Sequence, residues 1–446
     1  MRAVILAAGE GSRLRALSQR PKPLIPLLGL PLIERSILAL KECDIKDCII
    51  ITGCYADEIR DYLGNGRQLG VNITYLHNSD WKLGNGVSAA TFQELYRENE
   101  KYILIMADHI FELEILKSVI EAAKIMEDDE LLLASDNRLE KIHDLDECTK
   151  ISATGSRAER LGKDLENFNA VDCGLFVDTG ALQKALAKSI AQGAYALTDA
   201  VNILAEQGKV KLHFVNHNWV DVDDPASYKY CETLLLRSLI PPKDGLISRV
   251  INRKFSLRIT KLLSSTKLTP NQITILSFLV SIVSAISFAF LNPILGGILA
   301  QFSSILDGVD GEIARLKYLQ SKYGEVFDSI LDRYADYFIV IGMSYAWYST
   351  SANSLPVLLL SAAALTGLPM SMLFKEKYKT VTGKSYLPEI NDGRLRYLPA
   401  NRDGRLFLIM LGGIFNLIPA TLLILAAVTH FQTLYRFKVA RNLSNL

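Results

Sequence analysis

The sequence predicts two unlike domains: an α/β domain on a mostly parallel sheet, followed by an all-α domain of six transmembrane helices. Three observations predict this. Before about Lys267, short β-branched runs alternate with amphipathic stretches. After it, long apolar stretches are separated by short polar ones. A proline pair and a basic segment lie between the two patterns. A chain of 446 residues is ample for two domains. The net charge of +1 carries no excess of either sign, so no nucleic-acid partner is expected. The cysteines, Cys43, Cys48, Cys54, Cys148, Cys173 and Cys231, form no CxxC pair and all precede the apolar half. That pattern points to reduced thiols, and not to a disulfide framework or zinc site. Met1 to Gly9 reads as a strand running into a glycine loop, so no cleavable signal peptide is expected.

In the first domain (residues 1–230), Ala3–Leu6, Cys48–Thr52, Asn72–Leu76, Tyr102–Ala107, Glu130–Ala134, Cys173–Val177 and Val210–Val215 read as strands. Leu32–Cys43 and Val87–Asn99 read as helices between them. Such alternation implies ligands at the strand C-termini. Residues 231–268 form a connector, in which Pro241-Pro242 stops a helix. Ile247–Leu263 then carries Arg249, Arg253, Lys254, Arg258 and Lys261 among apolar residues, a pattern expected to lie on a lipid surface. Residues 269–446 hold the six spans, near 270–292, 294–314, 325–349, 354–374, 403–416 and 417–436. A crossing needs roughly 20 apolar residues, so the fifth is short. Lys and Arg are absent near Asn292-Pro293, Ser349–Ser354 and Asn416, and abundant on the opposite side. The positive-inside rule then places both ends in the cytoplasm.

Asp307, Asp310, Gly311 and Ala314 share one helix face at i, i+3, i+4, i+7; Gly324, Asp328 and Asp332 share another at i, i+4, i+8. Two such helices side by side would gather four carboxylates, which repel strongly in a low dielectric. Arg315 is the nearby countercharge in sequence. Divalent ions of the Mg²⁺ or Mn²⁺ kind are the natural solution for all-oxygen ligation. The segment matches D-x2-D-G-x2-A-R-x8-G-x3-D-x3-D and so resembles the CDP-alcohol phosphatidyltransferase family. Thr269-Pro270-Asn271, at the start of the first span, belongs to the same resemblance, which covers roughly the last 180 residues. It implies that Asp307, Asp310, Asp328 and Asp332 hold metal, with Asp332 also the general base. It further implies that Gly311, Arg315 and Ser321 contact the CDP moiety, and that the protein forms a homodimer through this domain.

At the other end, Leu6-Ala7-Ala8-Gly9-Glu10-Gly11-Ser12-Arg13 follows a strand and precedes Pro21-Lys22-Pro23-Leu24. It lacks the Walker ending and the third glycine of a dinucleotide loop. Two glycines let backbone N–H groups approach a triphosphate, with Arg13 and Lys22 supplying charge. This resembles the sugar-phosphate nucleotidyltransferase family over about residues 1–230, and implies a Rossmann-like mixed sheet. By that resemblance Gly84, Asn85 and Ser88 recognise the base, and Asp108 and Asp223 hold Mg²⁺. Asp172 and Gly174 line the sugar pocket, and Lys150 or Lys163 holds the sugar phosphate. Asp108 is followed by His109, where many members differ.

The membrane half requires a CDP-activated donor and the first half makes an NDP-activated alcohol, so CTP is the economical nucleotide. The architecture as a whole resembles two-domain fusions that join CTP to inositol-1-phosphate and pass CDP-inositol to a second inositol-1-phosphate. The run of Lys375, Lys377, Lys379, Lys384, Arg394, Arg396, Arg402 and Arg405 is expected to form a polybasic loop, attracted to the membrane surface or to a phosphate on the acceptor. Three alternatives stand at this stage: another CDP-alcohol with a lipid acceptor, a nucleotide-sensing first domain on a working transferase, and a transporter.

Overall fold

In a computed structural model, the described residues are 1–446 except 16–17, 99, 242–243, 394, 396–397 and 444–446. Pro242, Asn99, Arg394 and Arg396, named above, lie outside them. The chain forms two compact units, Met1–Leu234 and Leu235–Leu446.

The first unit is built on a nine-stranded sheet. In spatial order its strands are Asn72–His77, Asp47–Thr52, Arg2–Ala7, Tyr102–Met106, Ala170–Asp178, Leu131–Asp136, Val210–Phe214, Arg157–Gly162 and Lys150–Thr154. The first four are parallel, with Ile5 opposite Ile50 on one side and Ile105 on the other. Their near-continuous β-branched runs suit strands covered on both faces, and Val4, Ile51, Leu104 and Phe176 are buried in one core. Ala170–Asp178 runs antiparallel to both its neighbours, so the sheet is mixed. The hairpin of Lys150–Thr154 with Arg157–Gly162 was not expected, because its strands are short and polar. A small pair, His109–Phe111 with Trp219–Asp221, was also not expected. The helix expected over Val87–Asn99 is shorter: Asn85–Ala90 is α-helical and Thr91–Glu94 a 3-10 turn.

The second unit is helical. Its long helices are Pro270–Ala289, Pro293–Leu316, Lys322–Thr350, Ser354–Thr382, Arg402–Ile414 and Ile418–Leu443. Local sequence sets their starts. The Thr269 hydroxyl accepts from the Gln272 N–H with Pro270 in the first turn, Asn292 caps the next helix and Ser321 the third. Among the described residues three helices are long and apolar enough to cross a membrane: Pro270–Ala289, Ser354–Thr382 and Ile418–Arg441. Pro293–Leu316 and Lys322–Thr350 carry the acidic residues, and Arg402–Ile414 has only 13 residues. Gly297 and Gly413 lie where two helices meet, and a Cβ on either would press on the backbone of the other.

Two expectations are corrected. Lys375, Lys377 and Lys379 are not loop residues: their helix continues past residue 374 to Thr382. The basic segment after Ile247 is a π-helical turn, Ser248–Asn252, running into the helix Arg253–Ser264. It is not basic on its outer face alone. Lys254, Arg258 and Lys261 are exposed, with Phe255 and Leu262 also outward. Arg253 turns inward, pairing with Asp244 at 2.6 Å and with the fully buried Glu312. Glu312 also accepts from Ser256 at 2.6 Å and Thr260 at 2.5 Å, so the first two turns of this helix bring three donors to one buried charge.

Candidate active sites

In the first unit, the strand Arg2–Ala7 delivers the chain into the glycine loop. Gly11 has φ of 61°, a left-handed conformation, and a Cβ there would collide with the Lys22 side chain, so glycine is required. Leu6, Ala7, Gly9, Gly11, Arg13, Lys22, Asp108 and Asp223 line one cavity of about 290 Å³. The Ala8 carbonyl accepts from the Cys54 N–H at 3.1 Å. A second cavity, also about 290 Å³, is lined by Arg13, Asn85, His109, Arg138, Lys163, Asp172, Gly174, Asp221 and Asp223 among others. Arg13 and Asp223 face both, so a ligand in one cavity would abut a ligand in the other there.

Lys22 is buried and donates to Asp108 at 2.5 Å and to Asp223, with Asp221 at 3.9 Å. Burial opposes its charge, but the three carboxylates outweigh it and hold the ammonium above its ordinary pKa. The pairing of His109 opposite Asp221 brings Asp108, His109 and Asp221 within 4.8 Å of one another through one oxygen or nitrogen each. Burial lowers the His109 pKa, yet Asp221 and Asp108 push it up to about 9. Burial pushes the Asp221 carboxyl up to about 6 against the pull of His109. One buried oxygen of Asp221 has no hydrogen-bond partner among the described residues. The carboxylate oxygens of Asp108 and Asp221 fit a hard divalent ion. Asp221 was missed in the sequence, although it sits two residues from Asp223, on a strand too short to show alternation.

The remaining expected residues separate. Asn85 accepts from the Leu197 N–H at 2.8 Å, and the Ser88 hydroxyl accepts from Asn78 at 2.9 Å. Gly84 precedes their helix. Lys163 lines the second cavity; Lys150 does not, its ammonium lying 5.5 Å from the centre of the Phe168 ring. Arg138, unremarked in the sequence, lines that cavity and is held by Asp136 at 2.7 Å.

In the second unit, Pro293–Leu316 and Lys322–Thr350 bring one oxygen each of Asp307, Asp328 and Asp332 within 4.8 Å of one another. Asp310, one turn from Asp307, accepts from the Thr274 hydroxyl at 2.5 Å and the Gly311 N–H at 2.5 Å. The countercharge is not Arg315, which donates to the Leu239 carbonyl at 2.9 Å. It is Arg402, whose Nη1 lies 2.6 Å from Asp307 and 2.8 Å from Asp332. Arg405, also expected in a surface loop, is buried against Asp336 at 2.5 Å. Asp336 continues the Asp328–Asp332 face by one more turn and was missed for want of a signature position. The Ser321 hydroxyl caps its helix, accepting from Gly324 at 3.0 Å. An oxygen of Asp328 is buried with no hydrogen-bond partner among the described residues, and the three-carboxylate donor set fits Mg²⁺ or Mn²⁺.

Fold and sites together define a class: a nucleotidyl-transfer domain joined to a helical CDP-alcohol transferase domain. The sequence matches the nucleotidyl transferase family over residues 2–141 and the CDP-alcohol phosphatidyltransferase family over residues 267–433. It is 33% identical over 445 residues to a bifunctional IPC transferase and DIPP synthase of Thermococcus kodakarensis, covering 97% of this chain and 96% of that one. Proteins of the same description from Archaeoglobus fulgidus and Aquifex aeolicus are 34% and 32% identical, over 92% and 97% of this chain and 78% and 96% of theirs. The chain belongs to the family of bifunctional IPC transferase and DIPP synthase enzymes.

Proposed function

We propose that this chain makes a phosphodiester-linked inositol solute in two steps. CTP and inositol-1-phosphate give CDP-inositol and pyrophosphate; CDP-inositol and a second inositol-1-phosphate then give di-myo-inositol phosphate phosphate and CMP. The observation that carries this is near-full-length similarity to relatives whose names join the two activities, in a chain that holds both sets of clustered carboxylates.

In the first step a phosphate oxygen of inositol-1-phosphate attacks the α-phosphorus of CTP, and the bond to the β-phosphate oxygen breaks. Leu6, Ala7, Ala8, Gly9 and Gly11 bind the triphosphate, and Gly84, Asn85 and Ser88 the base. Arg13 and Lys22 meet the charge that develops on pyrophosphate. Asp172 and Gly174 line the pocket for the alcohol and Lys163 holds its phosphate, with Lys150 at the margin. Mg²⁺ at Asp108 and Asp223, with Asp221 beside them, would neutralise phosphate charge.

In the second step a hydroxyl of the acceptor attacks the inositol-bearing phosphorus, the bond to CMP breaks, and Asp332 takes the proton. Mg²⁺ or Mn²⁺ at Asp307, Asp310, Asp328 and Asp332 would polarise the diphosphate. Gly311, Arg315 and Ser321 face the CDP moiety. We read the long helices as six spans of an integral membrane homodimer, with both ends cytoplasmic.

The test is a phosphorus NMR time course on detergent-solubilised protein with CTP, Mg²⁺ and inositol-1-phosphate. Pyrophosphate and a diphosphate diester, followed by CMP and a phosphodiester beside a phosphomonoester, are expected. A CDP-alcohol that persists until a lipid diol is added would replace the soluble acceptor with a lipid. Pyrophosphate released only with other alcohol phosphates would remove inositol.

A further inference from the structure

Arg402 occupies an unusual position in the second site. Its Nη1 lies between Asp307 and Asp332, at 2.6 and 2.8 Å, yet is aligned for a hydrogen bond with neither. It also leaves a buried Asp328 oxygen without a partner, although that carboxylate belongs to the same cluster. One guanidinium thus contacts two carboxylates imperfectly and reaches the third only through its charge. A small divalent ion accepting one oxygen from each would serve all three. Arg402 has a second attachment: its Nε lies 3.3 Å from Asp336, a carboxylate independently fixed by Arg405 at 2.5 Å. The residue also begins the helix Arg402–Ile414 and lines a cavity of about 750 Å³ with Asp307, Lys379 and Tyr386.

We propose that the Arg402 guanidinium and a divalent cation are alternative occupants of the notch between Asp307 and Asp332. Without metal, the arginine holds the mutually repelling carboxylates together. When metal binds, the guanidinium turns out of the notch, tethered to Asp336, and faces the adjoining cavity. The same side chain is then presented to an anionic group of a substrate there, so metal loading and phosphate binding are coupled by electrostatics. The inference rests on reading these carboxylates as a metal site.

The test is Mn²⁺ binding to the full chain in detergent, followed by electron paramagnetic resonance, in an Asp108→Asn, Asp223→Asn background that silences the first site. Removing a competing occupant tightens binding. Arg402→Gln is therefore expected to bind Mn²⁺ roughly tenfold more tightly than its parent. Equal or weaker binding overturns the exchange while leaving the metal reading intact. No saturable binding in either protein overturns the metal reading and the exchange with it. A second measurement needs no variant at Arg402: phenylglyoxal labelling of the wild-type chain, read by peptide mass spectrometry. Mg²⁺ is expected to raise labelling at Arg402 several-fold, and unchanged labelling overturns the proposal.

Discussion

Lys22 is one ammonium shared by Asp108, Asp221 and Asp223. Lys22→Ala is expected to abolish pyrophosphate release, with added CDP-inositol restoring the final product; loss of both activities in folded protein would remove the two-site model. Asp172 offers a test by pH. Burial pushes its carboxyl up to about 6, although the Gly174 N–H donates to it at 2.7 Å. A raised carboxyl pKa means that the folded state holds the proton more tightly than the unfolded one. Its contribution to stability is therefore complete below about 4 and is lost as pH rises through about 6. Asp172→Asn is expected to slow hydrogen exchange in Ala170–Asp178 at alkaline pH and to change little in acid. A third residue, Glu312, is wholly buried among Arg253, Ser256 and Thr260. Glu312→Ala breaks the buried pair with Arg253, which keeps Asp244, and leaves the Ser256 and Thr260 hydroxyls without their acceptor; it is expected to cost about 3–5 kcal/mol, visible as a lowered thermal midpoint in detergent. Thr260→Val should cost less, about 1.5–3 kcal/mol, the range for a hydrogen bond to a charged group.

At the scale of elements, what was legible in the sequence followed local periodicity. The carboxylates were legible because helical spacing alone puts Asp307 with Asp310, and Asp328 with Asp332, on common faces. Helix starts were legible where Thr269, Asn292 and Ser321 cap. Arg402 was not, because it lies far along the chain in a run of basic residues whose fates diverge. Lys379 stays on a helix end, Arg405 is buried, and Arg402 enters the acidic cluster. Only the packing of Arg402–Ile414 against Pro293–Leu316, which Gly297 and Gly413 permit, distinguishes them. The inward turn of Arg253 was hidden for the same reason: its partner Glu312 belongs to another helix. In the first unit, the short strands that pair His109 with Asp221 carry too few residues to alternate, so the third acidic residue beside Lys22 went unseen.

For the molecule as a whole, two sites in one chain predict separable failures. Asp332→Asn is expected to stop phosphodiester formation and leave CDP-inositol accumulating at an unchanged initial rate, as followed by phosphorus NMR. The fifth long helix, Arg402–Ile414, has a further consequence. At 13 residues it measures only about 20 Å, whereas a hydrocarbon core is about 30 Å thick. On the six-span reading proposed above, Arg402 at its first turn is thereby drawn below the level where lipid headgroups end. On the same reading the surrounding lipid would have to thin, or water to follow the arginine inward, at a cost that grows with acyl-chain length. Lipid thickness would then be a variable in a reaction whose proposed substrates are water-soluble. Vesicles of short-chain phosphatidylcholine should support the second step best, and lengthening the chains should slow it while leaving pyrophosphate release untouched.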